Sequence, residues 1–75
     1  MNNDFSYEIT KPLAVLSSSE DGAFTTEANY ISFNGREAKL DIRKWDRRTE
    51  EGKMLKGIAL NETEAAALLE ALQNR

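Results

Sequence analysis

A chain of 75 residues is long enough for one domain, and its lack of histidine and cysteine removes the side chains that hold zinc, haem or iron–sulfur clusters. The same lack excludes a disulfide framework and the usual nucleophile–base pairs. We therefore expect a single domain over residues 1–75 with no enzymatic activity, metal or cofactor. The formal net charge of −3, taken over the whole chain, argues against a nucleic-acid partner.

No stretch of the sequence approaches the roughly 18–20 apolar residues that a membrane span needs. The N-terminus has no basic segment leading into an apolar one, as a secretory signal would. We expect a cytoplasmic protein with no membrane partner and no small-molecule substrate.

The first strand is predicted from Phe5, because the odd positions up to Ile9 are apolar and the even positions are polar. Pro12 cannot donate a hydrogen bond to a neighbouring strand, so this strand should lie at an edge of the sheet or be bulged there. The strand should resume over residues 13–16, and residues 17–22 are predicted as a loop ending in an Asp-Gly turn.

Residues 24–33 are rich in Thr, Tyr, Ile and Phe and form the second predicted strand. Asn34-Gly35 follows, which is a strong signal for a tight hairpin, so the third strand should run antiparallel beside the second. A two-residue loop would place Tyr30 opposite Lys39, whereas a loop that shifted the register by one residue would exchange the faces.

Residues 39–45 form the third predicted strand and alternate between two kinds of side chain. Leu40 and Ile42 occupy one face, which we assign to the core. Arg43 and Trp45 occupy the other face, which we expect to be exposed to solvent. The competing interpretation places the tryptophan in the core or in a dimer interface, where this residue type more often lies.

Residues 46–52 are charged and are predicted as a mobile loop, and residues 53–60 form a fourth strand. Gly57 inside that strand indicates a bulge or a close approach of two backbones. Asn61 and Glu64 have the spacing of a capping box, so a helix should begin there and continue to about Asn74. The predicted fold is α+β, with four antiparallel strands followed by one C-terminal helix.

The predicted helix carries an apolar stripe at the i, i+3, i+4, i+7 spacing of a packed face. A chain of this length has a marginal core, which a second copy of the chain would complete. We therefore expect a homodimer whose interface includes this stripe: Ala65, Leu68, Leu69 and Leu72.

The charges are unevenly distributed along the chain. Residues 36–56 hold eight of the ten cations against five acids, a local excess of +3, and the remaining residues carry −6. Cations interleaved with aromatic residues on a sheet suit single-stranded nucleic acid, because unpaired bases stack on rings while phosphates pair with Lys and Arg. An ordinary solvated charged surface is the alternative. The residues that we assign to nucleic-acid binding are Tyr30, Phe33, Arg36, Lys39, Arg43, Trp45, Lys53 and Lys56.

Two short segments carry a resemblance to a known family. The first is LDIRKW at residues 40–45, which a charged loop follows. The second is KGIAL at residues 56–60, directly before the capped helix. Together they resemble the C-terminal domain of the transcriptional coactivator positive cofactor four, most closely its small bacterial YdbC-like branch. The similarity covers about residues 30–72. The hairpin loop looks shorter than the coactivator's and lacks its aromatic residue and paired lysines, and Asp46 stands where the coactivator has a tryptophan.

The resemblance implies a curved sheet in a β-β-β-β-α protomer that dimerises largely through its helix and binds single-stranded DNA with little sequence preference. By position, Arg43 resembles the family's strand arginine, Trp45 its neighbouring aromatic residue and Lys56 the lysine before Gly-Ile. We expect a homodimer, nucleoid-associated in a bacterium, that acts in transcription regulation or DNA repair and maintenance, with RNA as a further ligand class. The alternative is a protein-interaction module that docks a peptide on an exposed Trp45 face.

Overall fold

The computed structural model describes residues 5–75, and they form the predicted elements in the predicted order. The elements are β1 (Tyr7–Ser18), β2 (Phe24–Phe33), β3 (Lys39–Asp46), β4 (Lys53–Leu60) and α1 (Glu62–Gln73). The strands make one antiparallel sheet in the order β1-β2-β3-β4, and the helix follows β4 directly. The α+β prediction is confirmed. The largest difference in bounds is at β1, which takes in Ser17 and Ser18 of the predicted loop.

β1 lies at an edge of the sheet, and Pro12 sits within it opposite Asn29. Its pairing with β2 is interrupted by three register shifts: Ile9/Lys11, Pro12/Ala14 and Val15/Ser17. Each shift adds one residue to β1 relative to β2, which bends the strand and strengthens its twist. The prediction of an edge strand bulged at the proline is confirmed.

The turn between β2 and β3 has the predicted chemistry. Asn34 and Gly35 have φ angles of 55° and 76°, as both central residues of a type I′ turn require. The Arg36 N–H donates to the Phe33 carbonyl over 3.0 Å and closes the turn.

The register beyond the turn differs from that of a simple two-residue loop. Ile31 pairs with Lys39 and Tyr30 with Leu40, so the β3 side uses one residue more than the β2 side before pairing begins. The predicted pairing of Tyr30 with Lys39 is therefore wrong by one residue. The extra residue sets which side chains share a face.

The sheet is strongly curled. Tyr7 pairs with Phe33, and Trp45 pairs with Thr25, eight residues away along β2. A straight strand would separate these positions by about 26 Å at ~3.3 Å per residue. The ring centroids of Tyr7 and Trp45 are nevertheless 5.9 Å apart. The face that carries both rings is therefore the inner one, and we call it the concave face.

The concave face holds every buried side chain among residues 5–75. They are Glu27, Asn29, Ile31, Asp41 and Trp45. Trp45 is 0% exposed, whereas Leu40 and Ile42 are only half-buried, so the prediction of an exposed tryptophan opposite a leucine–isoleucine core is wrong. Alternation of side chains separates two faces, but the curl of the sheet decides which of them is inside.

α1 begins with the predicted capping box. The Asn61 side chain accepts from the Glu64 N–H over 2.8 Å, and the Glu64 carboxylate accepts from the Asn61 N–H over 3.0 Å. The helix has 12 residues, none of them buried. No helix within residues 5–75 has the length and apolar character to cross a membrane.

The opposite, convex face of the sheet is apolar and largely uncovered. Ile58 is 58% exposed, and on the helix Leu69 and Leu72 are 57% and 50% exposed. A groove of about 490 Å³ between sheet and helix is lined by apolar side chains that include Leu13 and Leu40. In a single chain, therefore, the predicted apolar stripe of α1 is only partly covered: Ala65 and Leu68 are half-buried, and Leu69 and Leu72 are exposed.

Candidate nucleic-acid interface

Four aromatic rings follow one another across the concave face. The Phe5 centroid lies 6.3 Å from Phe33 and 6.3 Å from Tyr7, and Tyr7 in turn contacts Trp45. Phe5 is 58% exposed and Phe33 is half-buried, so solvent reaches the series at these two rings, whereas Trp45 at the other end is fully buried. Sequence reasoning treated Phe5 only as a strand residue, because its contact with Phe33 depends on the β1–β2 register.

Arg43 stands beside this aromatic series, but its charge is already paired. Its Nε and Nη2 donate to the two carboxylate oxygens of Asp41, each over 2.6 Å. Nη1 donates to the Leu55 carbonyl over 3.1 Å, and the guanidinium carbon lies 5.8 Å from the Phe33 ring centroid. The Arg43 side chain is 15% exposed and that of Asp41 is fully buried. Arg43 is thus a fixed, partly neutralised guanidinium rather than a free cation.

Gly57 explains how Arg43 reaches across β4. The two residues are cross-strand partners, and a Cβ on Gly57 would lie 2.7 Å from the Ile42 carbonyl oxygen and closer still to Arg43. The next regular pair, Trp45 with Met54, follows a register shift in β4. The sequence predicted a bulge or a close backbone approach at this glycine, and both are present.

Trp45 is covered by Arg47, whose guanidinium carbon lies 4.4 Å from the indole centroid. Arg47 Nε and Nη2 donate to the two carboxylate oxygens of Glu27 over 2.8 and 2.6 Å. The Thr25 hydroxyl and the Asn29 amide also donate to this carboxylate. Arg47 foremost, with these two donors, lowers the pKa of Glu27 from its ordinary value to about 2.

The indole Nε1 of Trp45 is buried and has no hydrogen-bond partner within residues 5–75. An unpaired buried donor costs about 1–3 kcal/mol. Folded proteins rarely leave such a donor unpaired without a reason. Among residues 5–75, Trp45 Nε1 is the one buried side-chain polar atom left without a hydrogen-bond partner.

Ion pairs reduce the free charge of residues 36–56, which we call the basic segment. Of its eight cations, Arg43 pairs with Asp41 and Arg47 with Glu27, and Arg48 donates to Asp46 over 2.7 Å. The cations that make no ion pair within the described chain are all exposed: Arg36, Lys39, Lys44, Lys53 and Lys56. In the same part of the chain no three acidic side chains come together as a metal site would need.

The structure divides the predicted binding residues between the two faces. By strand register the concave face carries Phe33, Lys39, Arg43 and Trp45. The convex face carries Tyr30 and Lys53, which pair with Leu40 and Asp46. Arg36 closes the hairpin turn, and Lys56 lies beside the register shift of β4, at the other edge of the sheet. Single-stranded nucleic acid lying in the concave face would meet only Phe33, Lys39 and Arg43 of these residues directly, because Trp45 is fully buried.

Comparison with known proteins identifies the family. The family model described as Transcriptional Coactivator p15 (PC4) matches residues 25–71, from the start of β2 into the last turns of α1. The chain belongs to the PC4 family. The resemblance found in residues 40–45 and 56–60 is confirmed, since both runs lie within the matched region.

A second comparison extends the similarity through β1. A protein of Treponema pallidum (strain Nichols), named only as an uncharacterized protein, is 40% identical over 74 residues. The match covers 99% of this chain and 84% of that relative. This similarity includes the sequence of β1, which lies outside the residues that the family model matches.

Proposed function

We propose that this member of the PC4 family is a non-enzymatic homodimer that binds single-stranded DNA along its concave face with little sequence preference. Such a protein would act in transcription regulation or in DNA repair and maintenance. The observation that carries the proposal is the open end of the aromatic series, where the exposed Phe5 and the half-buried Phe33 lie beside the Arg43 guanidinium.

Accessible rings beside cations suit an unpaired strand. Each base that stacks on an aromatic side chain contributes about 1–3 kcal/mol, and a duplex hides the faces of its bases. Arg36 and Lys39 are exposed near the same end of the sheet and make no ion pair within residues 5–75, so they are available to phosphates. Single-stranded RNA offers the same stacking faces and phosphates.

The β4 edge of the sheet offers a second cation to the bound DNA strand. Arg43 reaches the Leu55 carbonyl, and Lys56 follows at the next position with an exposed side chain. A strand that leaves the concave face across β4 would meet Lys56. Because Arg43 is paired with Asp41, we assign the salt-dependent part of binding to the lysines.

Removing Lys39 or Lys56 should flatten the salt dependence of binding. Wild-type protein should bind labelled oligo-dT more tightly than a matched duplex, with affinity falling as salt rises. Lys39→Ala and Lys56→Ala should each reduce the slope of log affinity against log salt by roughly 0.7, the value for one single-strand phosphate contact. Fluorescence anisotropy at several salt concentrations measures this slope, with oligo-U as the RNA arm.

Lys11→Ala is the matched control, since Lys11 is an exposed cation on β1 outside the basic segment. Its slope should equal that of the wild type. If both lysine variants keep the wild-type salt slope, the DNA binds elsewhere on the protein. If the wild type binds duplex as tightly as oligo-dT, the proposal is rejected. The alternative function, docking of a peptide on an exposed Trp45, is not supported, because the Trp45 ring is fully buried.

The apolar convex face supports the homodimer. Ile58, Leu69 and Leu72 are each at least half exposed in the single chain, which is an unfavourable arrangement in water. A second copy packed on this side would bury them and leave the concave face of each protomer open to DNA.

Leu69→Asp should yield a poorly folded monomer. The charge would fall within the proposed interface, where its desolvation opposes association. Sedimentation velocity at micromolar concentration should give a dimer for the wild type and a monomer for the variant. Glu70→Lys, a charge change at the neighbouring exposed position, serves as the control. A wild-type monomer at this concentration would contradict the proposal.

A further inference from the structure

We infer that Trp45 and Glu27 form a binding position for one guanine base, and that Arg47 occupies this position in the free protein. The inference rests on the proposed binding of single-stranded DNA. It adds one base-selective position to a surface that otherwise tolerates any sequence.

Arg47 has the placement of a stacked, hydrogen-bonded base. Its guanidinium carbon lies 4.4 Å from the Trp45 centroid, over the ring. Its Nε and Nη2 direct two adjacent N–H groups to the two oxygens of Glu27, over 2.8 and 2.6 Å. A flat group thus lies on an indole while a pair of parallel donors meets one carboxylate.

Guanine is the base that reproduces this pattern. Its N1–H and its N2 amino group are joined through C2, which is the same N–C–N unit as Nε–Cζ–Nη2 of arginine. Adenine and cytosine each pair one amino donor with a ring-nitrogen acceptor, and thymine flanks one N–H with two carbonyls. A carboxylate would be repelled by those acceptors, so only guanine presents two adjacent donors on its Watson–Crick edge. Single strands expose that edge, and proteins commonly read it.

The Glu27 carboxylate and the Trp45 ring are also held by residues other than Arg47. The Glu27 carboxylate also accepts from the Thr25 hydroxyl and the Asn29 amide, which fix its orientation. Trp45 is packed against Tyr7, with the rings inclined at 58°. The stacking surface and the acceptor would therefore remain in place when Arg47 leaves, as a preorganised site requires.

In the inferred exchange, the Arg47 side chain is the part that moves. Arg47 lies just beyond the end of β3, in the loop before β4, and its side chain is 25% exposed. Within that loop its Nη1 donates to the Glu51 carbonyl over 3.3 Å. Exchange for guanine keeps two N–H donors on Glu27 and frees the Arg47 cation to pair with a phosphate of the same strand. Guanine is neutral, so the exchange replaces the Arg47–Glu27 ion pair with an Arg47–phosphate pair, and the Glu27 carboxylate stays hydrogen-bonded by the base, Thr25 and Asn29.

A series of oligonucleotides tests the inference on the unmodified protein. The probes are oligo-dT and the same oligomer with one central dT replaced by dG, deoxyinosine or dA. A bidentate base contact discriminates by about 1–3 kcal/mol, so the dG oligomer should bind about tenfold tighter than oligo-dT. Deoxyinosine lacks the N2 amino group and should be intermediate, and dA should match oligo-dT. Trp45 is the one tryptophan of the chain, so its fluorescence should be quenched most by the dG oligomer.

Substitutions test whether Glu27 and Arg47 produce the preference for the dG oligomer over oligo-dT. Arg47→Ala should increase the ratio of dG to oligo-dT affinity, because no side chain competes for the ring. Glu27→Gln should bring the ratio close to one. Asp46→Asn is the matched control, since it removes a carboxylate that pairs with the adjacent Arg48, and its ratio should equal the wild type's.

The outcomes separate this inference from the proposed function. Tight, salt-dependent binding of oligo-dT with equal affinity for the dG oligomer, in wild type and in Arg47→Ala, would overturn the guanine position alone. A dG preference lost equally in Asp46→Asn and Glu27→Gln would also overturn it. Failure to bind any of the oligomers would overturn the proposed function itself. If Glu27→Gln does not fold, the wild-type series of four bases still decides.

Discussion

Trp45→Ala should destabilise the protein strongly. The indole is fully buried and is enclosed by Tyr7 and Arg47. Truncation of a buried tryptophan typically costs about 3–5 kcal/mol, against a total stability of about 5–15 kcal/mol for a domain. The expected fall in Tm is at least about 12 °C. Circular dichroism during thermal and urea denaturation measures the change.

Two further variants serve as comparisons for Trp45→Ala. Trp45→Phe keeps an aromatic ring in the site and should lose less than half as much stability. Lys44→Ala alters the adjacent exposed residue and should stay within about 0.5 kcal/mol of the wild type. All variants need the same protein concentration, because dimerisation would couple stability to concentration. A Trp45→Ala protein with unchanged Tm would mean that the ring is not part of the core.

Gly57→Ala should destabilise the sheet by about 3 kcal/mol, at the upper end of the usual cost of overpacking. The added methyl group would lie 2.6 Å from the Arg43 Cα and 2.7 Å from the Ile42 carbonyl oxygen. Both are backbone atoms, so no change of rotamer relieves the clash and the two strands must separate. Separation also breaks the hydrogen bond from Arg43 Nη1 to the Leu55 carbonyl of β4.

Gly22→Ala provides the comparison. Gly22 has a φ of 76° and no atom within 4 Å of an added Cβ, so its cost is that of the left-handed backbone alone, about 1–2 kcal/mol. Urea denaturation should rank Gly57→Ala as the more damaging substitution. A reversed order would show that β3 and β4 do not approach closely at Arg43.

The concave face is both the core and the proposed binding surface. A four-stranded sheet with one small helix has no second layer to cover that face, so the sheet curls and buries Trp45 among charged neighbours. The ion pairs of Arg43 and Arg47 make this burial tolerable, since Asp41 and Glu27 would otherwise be buried without a partner. Substitutions on this face therefore need a stability measurement beside every affinity measurement.

The sequence by itself determined the order of the elements and most of their ends. The content of Thr, Tyr, Ile and Phe predicted β2 with its observed bounds, and β4 was predicted over its observed residues 53–60. Asn34-Gly35 predicted the turn, and Asn61 with Glu64 predicted the helix start. Each of these features depends on residues within about four positions of one another, so local propensities are sufficient to predict them. The family was predictable for a related reason, since its two runs are short and continuous.

Only the tertiary structure decided which face is inside and which charges are free. One extra residue after the hairpin turn set the register of β3, and the curl of the sheet then buried Trp45 rather than Ile42. Glu27 and Arg47, twenty residues apart, neutralise each other, which a count of charges along the chain does not reveal. Register, curl and long-range ion pairs come from contacts between distant segments, and local sequence patterns carry no information about their geometry.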